Sequence, residues 1–184
     1  LMDRLRKESN VVVQRKLDQN PWFSRFNPVG LNTLRVCTYR SVRTENVHVL
    51  NIALRMGKGG SLDNVTQGGI VCHVHDDGRL HDYAVDKYGE KFSSHPDTGA
   101  EFGNEQVVPN IDGLKKLTHR AARHVYLSRV ASFDACMDGS GDWRFIEVNL
   151  GHQTIRFAQY AGVPFFGRFT DEVIDYCRDN PRWI

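Results

Sequence analysis

The sequence lacks long apolar runs, blocks of like charge and internal repeats. No stretch approaches the roughly eighteen consecutive apolar residues of a membrane span, so we expect no transmembrane segment and a cytoplasmic protein. Because no run of five like charges occurs and the formal net charge is only +2, nucleic acid is not expected as a partner. The hydrophobic content of 40% and the charged content of 25% predict a packed core and a single domain over residues 1–184.

The signatures of several common sites are also missing. The four cysteines form no CxxC pair, which argues against a zinc ribbon. There is neither a GxSxG nucleophile elbow nor a GxxxxGK followed by Ser or Thr, so serine hydrolases and Walker-type ATPases are not expected. The cysteines are predicted to be small buried side chains in a reducing compartment: Cys37, Cys72, Cys136 and Cys177.

Hydrophobic periodicity predicts a β-rich first part followed by helices. Strands are predicted over residues 34–42, 47–56, 70–74, 80–85, 130–137 and 143–150, and helices over residues 110–127, 154–161 and 170–177. A further strand is expected near residues 11–17. Residues 20–31 and 93–109 indicate loops, and the second is long enough to suggest a functional role. This order predicts an α+β architecture, with an antiparallel sheet flanked by helices.

The most informative segment is the predicted hairpin of residues 130–149. A turn at residues 138–142 places Asp134 opposite Glu147, and Asn149 follows on the same face because strand side chains alternate. Two facing carboxylates repel each other, so a cation is expected to offset their charge. Two carboxylates and an amide oxygen suit Mg²⁺ beside substrate phosphates. The alternative is a solvated face on which both carboxylates only contact water.

Two arginines and a glycine-rich stretch are further candidates. Arg35 and Arg55 end apolar runs, and a guanidinium group in such a place can bind phosphate oxygens. Ordinary structural arginines would show the same pattern. The glycines between Gly57 and Gly69 can form an anion-binding nest of backbone amides, although glycine-rich turns are common.

Three histidines are weaker candidates. His73 and His75 alternate on one predicted strand and could bind a metal, but no third ligand follows at a regular spacing. Buried or exposed histidines without a metal are therefore the favoured interpretation. His95 precedes Pro96 in the long loop, where it could approach a substrate.

The ordered set of these segments resembles one protein family. Asp134 followed by the E-x-N of Glu147 and Asn149 is similar to the metal-binding hairpin of the ATP-grasp superfamily. Upstream segments resemble its sugar-transfer-associated branch, which is related to α-L-glutamate ligases: Asn32-Thr-Leu-Arg35, Leu54-Arg-Met-Gly-Lys-Gly-Gly-Ser61, Asn64, Gly68-Gly69 and His95-Pro-Asp-Thr-Gly99. The resemblance covers nearly the whole chain and implies the carboxyl-terminal lobe of an ATP-grasp domain.

The resemblance also implies a role for particular residues. Asp134, Glu147 and Asn149 would bind Mg²⁺, and Arg35 and Arg55 would stabilise the transferring phosphoryl group. The nucleotide would contact six residues: Gln14, Lys16, Leu17, Asn64, Gly68 and Gly69.

The chain also departs from the family pattern. Asn20 stands where the family usually has histidine, and Ser132 stands where many ATP-grasp ligases have arginine. The family's lysine-bearing strand and flexible glycine-rich loop are expected upstream of Leu1. The 184 residues alone are therefore expected to bind ATP weakly and to be inactive.

The implied activity is ATP- and Mg²⁺-dependent ligation. A substrate carboxylate would form an acyl phosphate, and an amine or similar nucleophile would displace the phosphate. The expected partners are small-molecule or glycan-linked carboxylates and amines, because members of the branch occur near enzymes of polysaccharide biosynthesis. Two alternatives remain open: a nucleotide-binding or scaffolding module without turnover, and a simple ATP-dependent phosphotransferase.

Overall fold

The strands and helices follow the predicted pattern closely. The computed structural model describes residues 15–60, 68–103, 105–151, 153 and 155–181. Its strands are β1 (Thr33–Arg40), β2 (Val47–Met56), β3 (Ile70–Val74), β4 (Leu80–Val85), β5 (Lys91–Phe92), β6 (Val130–Met137) and β7 (Trp143–Asn149). Its helices are α1 (Pro21–Ser24), α2 (Ile111–Ala122), α3 (Arg156–Gln159) and α4 (Thr170–Asp179), with a 3-10 turn at Gly167–Phe169.

These strands form one antiparallel sheet in the order β5-β4-β3-β2-β1-β6-β7. The first five form a meander, because each pairs with the strand that precedes it in the chain. β6 instead returns to pair with β1, and β7 pairs with β6 at the edge of the sheet. The predicted α+β fold with an antiparallel sheet and flanking helices is confirmed.

One face of the sheet carries the main hydrophobic core. Alternate strand residues point to this face, as the period of a β-strand requires. They pack against α2 and against aromatic residues of the segments that precede β1 and α2; the buried members include Phe26, Leu34, Val36, Ile52, Leu54, Leu80, Phe102, Leu114 and Ala135. Because the apolar strand residues are buried in this layer, the polar residues that alternate with them along the strands lie on the opposite face of the sheet.

The opposite face is covered only in part. Phe157 of α3 packs on Ala53 and Val71, and Phe165 packs near Cys37. Asn51 donates to the carbonyl of Phe165, which anchors the segment after α3 on β2. Polar side chains of β1, β6 and β7 therefore share this face with a small apolar cover.

Helix α2 begins where predicted and ends earlier. Asn110 caps its amino terminus from the left-handed region, with φ of 48°, and accepts a hydrogen bond from Gly113. The helix ends at Ala122 instead of residue 127. There the guanidinium group of Arg40 donates to the carbonyls of Ala122, Arg123 and Val125, which satisfies groups that a longer helix would have used.

The loops account for the other differences from the prediction. The expected loop at residues 20–31 contains α1, which Asn20 caps by accepting from Trp22. The helix expected over residues 154–161 is reduced to Arg156–Gln159. Of the strand expected near residues 11–17, residues 11–14 lie outside the described residues and residues 15–17 have no regular structure. Within the described part of the chain, no helix has the length and apolar character needed to cross a bilayer.

Asn32 holds the loop that precedes β1, and its loss should measurably destabilise the protein. The side chain is 1% exposed, and its amide nitrogen donates to Gln19 Oε1 and to the carbonyls of Phe23 and Asn27. Asn32→Ala should therefore lower the free energy of unfolding by about 1–3 kcal/mol, because buried acceptors lose their donor. Urea unfolding measures the change. The exposed Asn46→Ala is the matched control, and an equal loss in both variants would contradict this role.

Candidate functional site

Four neighbouring strands bring the predicted charged residues together. Arg35 of β1 pairs in register with Asp134 of β6, and Asp134 pairs in register with Glu147 of β7. Arg55, from β2, also reaches Asp134. The predicted placement of Asp134 opposite Glu147 is thus confirmed.

A β-bulge in β7 produces this placement. Close to the turn, Met137 pairs with Trp143 and Ala135 pairs with Phe145. The register then shifts by one residue, so Asp134 faces Glu147 rather than Ile146. Without the extra residue, Glu147 would point to the other face of the sheet. The bulge therefore determines which side chain of β7 joins the charged cluster.

Asp134 is held by two guanidinium groups. Arg35 Nε donates to Asp134 Oδ1 over 2.7 Å, and Arg35 Nη2 donates to Oδ2 over 2.6 Å. Arg55 Nη1 donates to the same Oδ2 over 2.8 Å. The exposed fractions of the three side chains are 4% for Asp134, 14% for Arg35 and 9% for Arg55. We name these three residues the arginine–aspartate clasp.

The pKa values agree with a charged clasp. Burial alone would raise the pKa of Asp134, but the hydrogen bonds and charge of Arg35 and the charge of Arg55 hold it below its usual range. For Arg35, burial works against the charged form, yet the hydrogen bond and charge of Asp134 raise its pKa. Both groups are therefore ionised at neutral pH.

Arg35 offsets the repulsion between the two carboxylates without a cation. The two carboxylates were expected to repel each other and to need a metal, but Arg35 already lies between them. Its Nη2 is 3.8 Å from Glu147 Oε1 as well as bonded to Asp134. Among the described residues, no group of three or more His, Cys, Asp or Glu side chains is arranged so that it could hold a metal ion without further ligands. Repulsion alone therefore does not require a metal here.

Glu147 and Asn149 form the open side of the cluster. Asn149 Nδ2 donates to Glu147 Oε1 over 3.2 Å, and the Glu147 side chain is 56% exposed. Beside them, Gln153 donates to the carbonyl of Asn149 and contacts Ser132, which faces Asn149 across the hairpin. A ligand from solvent would meet Glu147 and Asn149 before it met Asp134.

The glycine-rich stretch joins β2 to β3 and is anchored by the long loop. His95 is 1% exposed, and its Nε2 lies 2.9 Å from the carbonyl of Gly57. Asp97 accepts a hydrogen bond from the amide of Gly59 over 2.6 Å. Thus His95, which was expected near a substrate, is buried against the glycine-rich stretch and supports it.

The predicted nucleotide-binding residues occupy two places. Gly68 and Gly69 directly precede β3, and Gly68 adopts a φ of 106° that favours glycine. Lys16 and Leu17 line two cavities, one of about 350 Å³ against the segment that precedes β1 and one of about 520 Å³ beside the turn between β6 and β7. Gln14 and Asn64 lie outside the described residues.

A second cluster contains histidines. The β4 residue His81 adds a third imidazole to His73 and His75, with His81 Nδ1 3.4 Å from His75 Nε2. Sequence spacing missed His81, because it comes from the partner strand. Burial and the neighbouring histidines lower the pKa of His73 to about 4, so this ring is neutral at pH 7. The three rings line an open cavity of about 650 Å³.

The comparisons with known proteins give one match. The model of a family described as sugar-transfer associated ATP-grasp matches residues 2–168 of the 184. No curated protein and no solved structure is significantly similar to the chain. The match includes every residue of the charged cluster.

Proposed function

Because this chain belongs to the sugar-transfer associated ATP-grasp family, we propose that it contributes the ATP- and Mg²⁺-binding face of a carboxylate–amine ligase. The observation that carries the proposal is the row of charged side chains across β1, β6 and β7. Arg35, Asp134 and Glu147 are neighbours in this row, although Arg35 and Asp134 are 99 residues apart in the chain. Two arginines and an oxygen-rich group on one face suit the phosphates of a nucleotide and their cation.

The residues present suit a magnesium ion in their chemistry, because they offer carboxylate and amide oxygens. Glu147 and Asn149 offer a carboxylate and an amide oxygen within one small area, and Glu147 is open to solvent. Asp134 supplies a second carboxylate from the neighbouring strand. When bound, Mg²⁺ would neutralise charge on the phosphates.

The chain's own groups would bind and orient the substrates. Arg35 and Arg55 can donate to phosphoryl oxygens, where charge must be stabilised during transfer. The backbone amides around Gly68 and Gly69 can bind phosphate. On the family resemblance, Lys16 and Leu17 would contact the adenine. Gln14 and Asn64, which lie outside the described residues, would also contact the nucleotide.

The proposed reaction has two steps. A carboxylate oxygen of the substrate attacks the γ-phosphorus of ATP, the bond from that phosphorus to the bridging oxygen breaks, and ADP leaves. The amine nitrogen then attacks the acyl carbon, the bond to phosphate oxygen breaks, and phosphate leaves with formation of an amide. The acid and the amine would be small molecules or glycan-linked groups of polysaccharide biosynthesis.

One assay on the full-length protein separates this proposal from its two alternatives. If ligation is the function, ADP release in the presence of the acid should depend on added amine. A plain phosphotransferase would release ADP without amine, and a binding module would bind ATP without releasing ADP. Hydroxylamine is a suitable general nucleophile for this assay, because it traps acyl phosphates as hydroxamates.

Glu147 gives the sharpest test of the proposed metal position. Glu147→Gln should weaken binding of Mg²⁺–ATP by about tenfold, because a charged oxygen ligand becomes a neutral one. The variant should keep its stability, since the side chain is 56% exposed. Calorimetric titration with ATP at fixed Mg²⁺ measures the affinity. Glu90→Gln is the control, as it removes the same charge from another exposed position. Equal affinities of both variants and the unaltered chain would reject this position.

A further inference from the structure

The arginine–aspartate clasp occupies the oxygens that a metal at Asp134 would need. Both carboxylate oxygens of Asp134 accept hydrogen bonds from Arg35, and one of them also accepts from Arg55. A cation can use Asp134 only after at least one of these charge-assisted bonds has broken. A guanidinium group and a divalent cation therefore compete for the same carboxylate.

Arg35 is better placed than Arg55 to change its partner. It lies between Asp134 and Glu147, at 2.6 Å from one carboxylate and 3.8 Å from the other, on the side of the cluster that faces solvent through Glu147. Its side chain is also more exposed than that of Arg55, at 14% against 9%. A phosphate group beside the cation offers the planar guanidinium two oxygens in place of those of Asp134.

We propose that Arg35 couples metal binding to nucleotide binding by exchanging Asp134 for a phosphate group. This inference rests on the proposed function. Without nucleotide, Arg35 holds Asp134 and the metal affinity is low. With nucleotide, the phosphate accepts the Arg35 hydrogen bonds and Asp134 becomes available to the cation. Because coupling between two binding sites is reciprocal, the metal strengthens nucleotide binding by the same factor.

The test measures Mn²⁺ binding by electron paramagnetic resonance, with and without an ATP analogue that has a non-hydrolysable β–γ bridge. In the unaltered full-length protein, the analogue should raise Mn²⁺ affinity strongly. Arg35→Gln should bind Mn²⁺ alone about tenfold more tightly than the unaltered chain, because the competing charge has gone. The same variant should show a smaller increase with the analogue, because it offers phosphate no guanidinium group.

Two further variants guard against a folding artefact. Arg35→Lys keeps the positive charge but cannot donate through a planar fork, so its Mn²⁺ affinity should lie between those of the unaltered chain and Arg35→Gln. Arg144→Gln removes a more exposed arginine that pairs with Asp138 and should leave Mn²⁺ binding unchanged. Circular dichroism verifies that each variant is folded at the temperature of the titration.

The outcomes separate this inference from the proposed function. If Glu147→Gln weakens Mn²⁺ binding but Arg35→Gln does not strengthen it, the metal position stands and the exchange is wrong. If Glu147→Gln leaves Mn²⁺ binding unchanged, the cation lies elsewhere and the proposed metal position fails. Weaker Mn²⁺ binding by folded Arg35→Gln would also overturn the exchange.

Discussion

Asp134→Asn should lower the free energy of unfolding by about 3–5 kcal/mol, the range expected when one partner of a buried ion pair is removed. The carboxylate is 3% exposed and accepts from two guanidinium groups, which would remain buried beside a neutral amide. The substitution keeps the shape of the side chain, so the loss measures charge rather than packing. Urea unfolding at pH 7 gives the value.

The control for this prediction lies on the same hairpin. Asp142→Asn removes the same charge from an exposed side chain that pairs with Arg144, and it should change stability by less than about 0.5 kcal/mol. A loss below about 1 kcal/mol for Asp134→Asn would mean that the clasp contributes little beyond its desolvation cost. In that case its arginines would be held by their other contacts.

The pH dependence gives an independent check on the clasp. The pKa of Asp134 is lowered in the folded chain, so its contribution to stability is fully present above the unfolded pKa of about 3.9. That contribution is lost as the pH falls through the folded pKa, which lies below the usual value of an aspartate carboxyl group. The stability difference between the unaltered chain and Asp134→Asn should therefore be constant near pH 7 and shrink on acidification below about pH 4. A difference that is independent of pH would contradict this assignment.

Phe26→Ala should be comparably destabilising, by about 3–5 kcal/mol, because it removes a fully buried aromatic ring and leaves a cavity. The ring is 0% exposed and stacks on Phe102, with centroids 5.5 Å apart and ring planes 9° from parallel. The carbonyl of Phe26 also accepts a hydrogen bond from Thr98 of the long loop. The change can be measured by urea unfolding.

This second prediction has a functional consequence and a control. Asn27, the next residue, donates to the carbonyl of Gly60, so the segment around Phe26 supports the glycine-rich stretch. We expect Phe26→Ala to weaken nucleotide binding as well as stability. Leu127→Ala, which truncates an apolar side chain that is 93% exposed, should change neither by a measurable amount. Equal effects of the two variants would show that the loop does not depend on this ring.

Features that form within one hairpin could be predicted from the sequence. The facing of Asp134 and Glu147 could be predicted because a short turn joins their strands, and the E-x-N spacing sets Asn149 on the same face. The bulge at Ile146 was not predicted, yet it is needed for this facing. The residue identities could not reveal the bulge, because shifting β7 by one residue against β6 gives an equally plausible alternation of side chains between the two faces.

Contacts between distant segments could not be predicted in the same way. No local sequence pattern indicates that β6 pairs with β1. The hydrogen bonds from Arg35 to Asp134 were therefore not predicted, and both arginines were expected to bind phosphate only. His81 is a different case, because it lies only six residues from His75 on the next strand of a predicted hairpin, so the local pattern could have placed the two rings together. The burial of His95 depends on the position of the glycine-rich stretch, which spacing along the chain does not encode.

The order of the strands also determines when the charged cluster can form. β1 to β5 can pair one after another as the chain leaves the ribosome, since each step closes a short loop. β6 begins at Val130, and until it is synthesised β1 presents eight residues as an unprotected sheet edge with buried-type side chains. Arg35 then has no Asp134 to pair with. We therefore expect the clasp to close late, and the open edge of β1 to favour edge-to-edge association until β6 pairs with it.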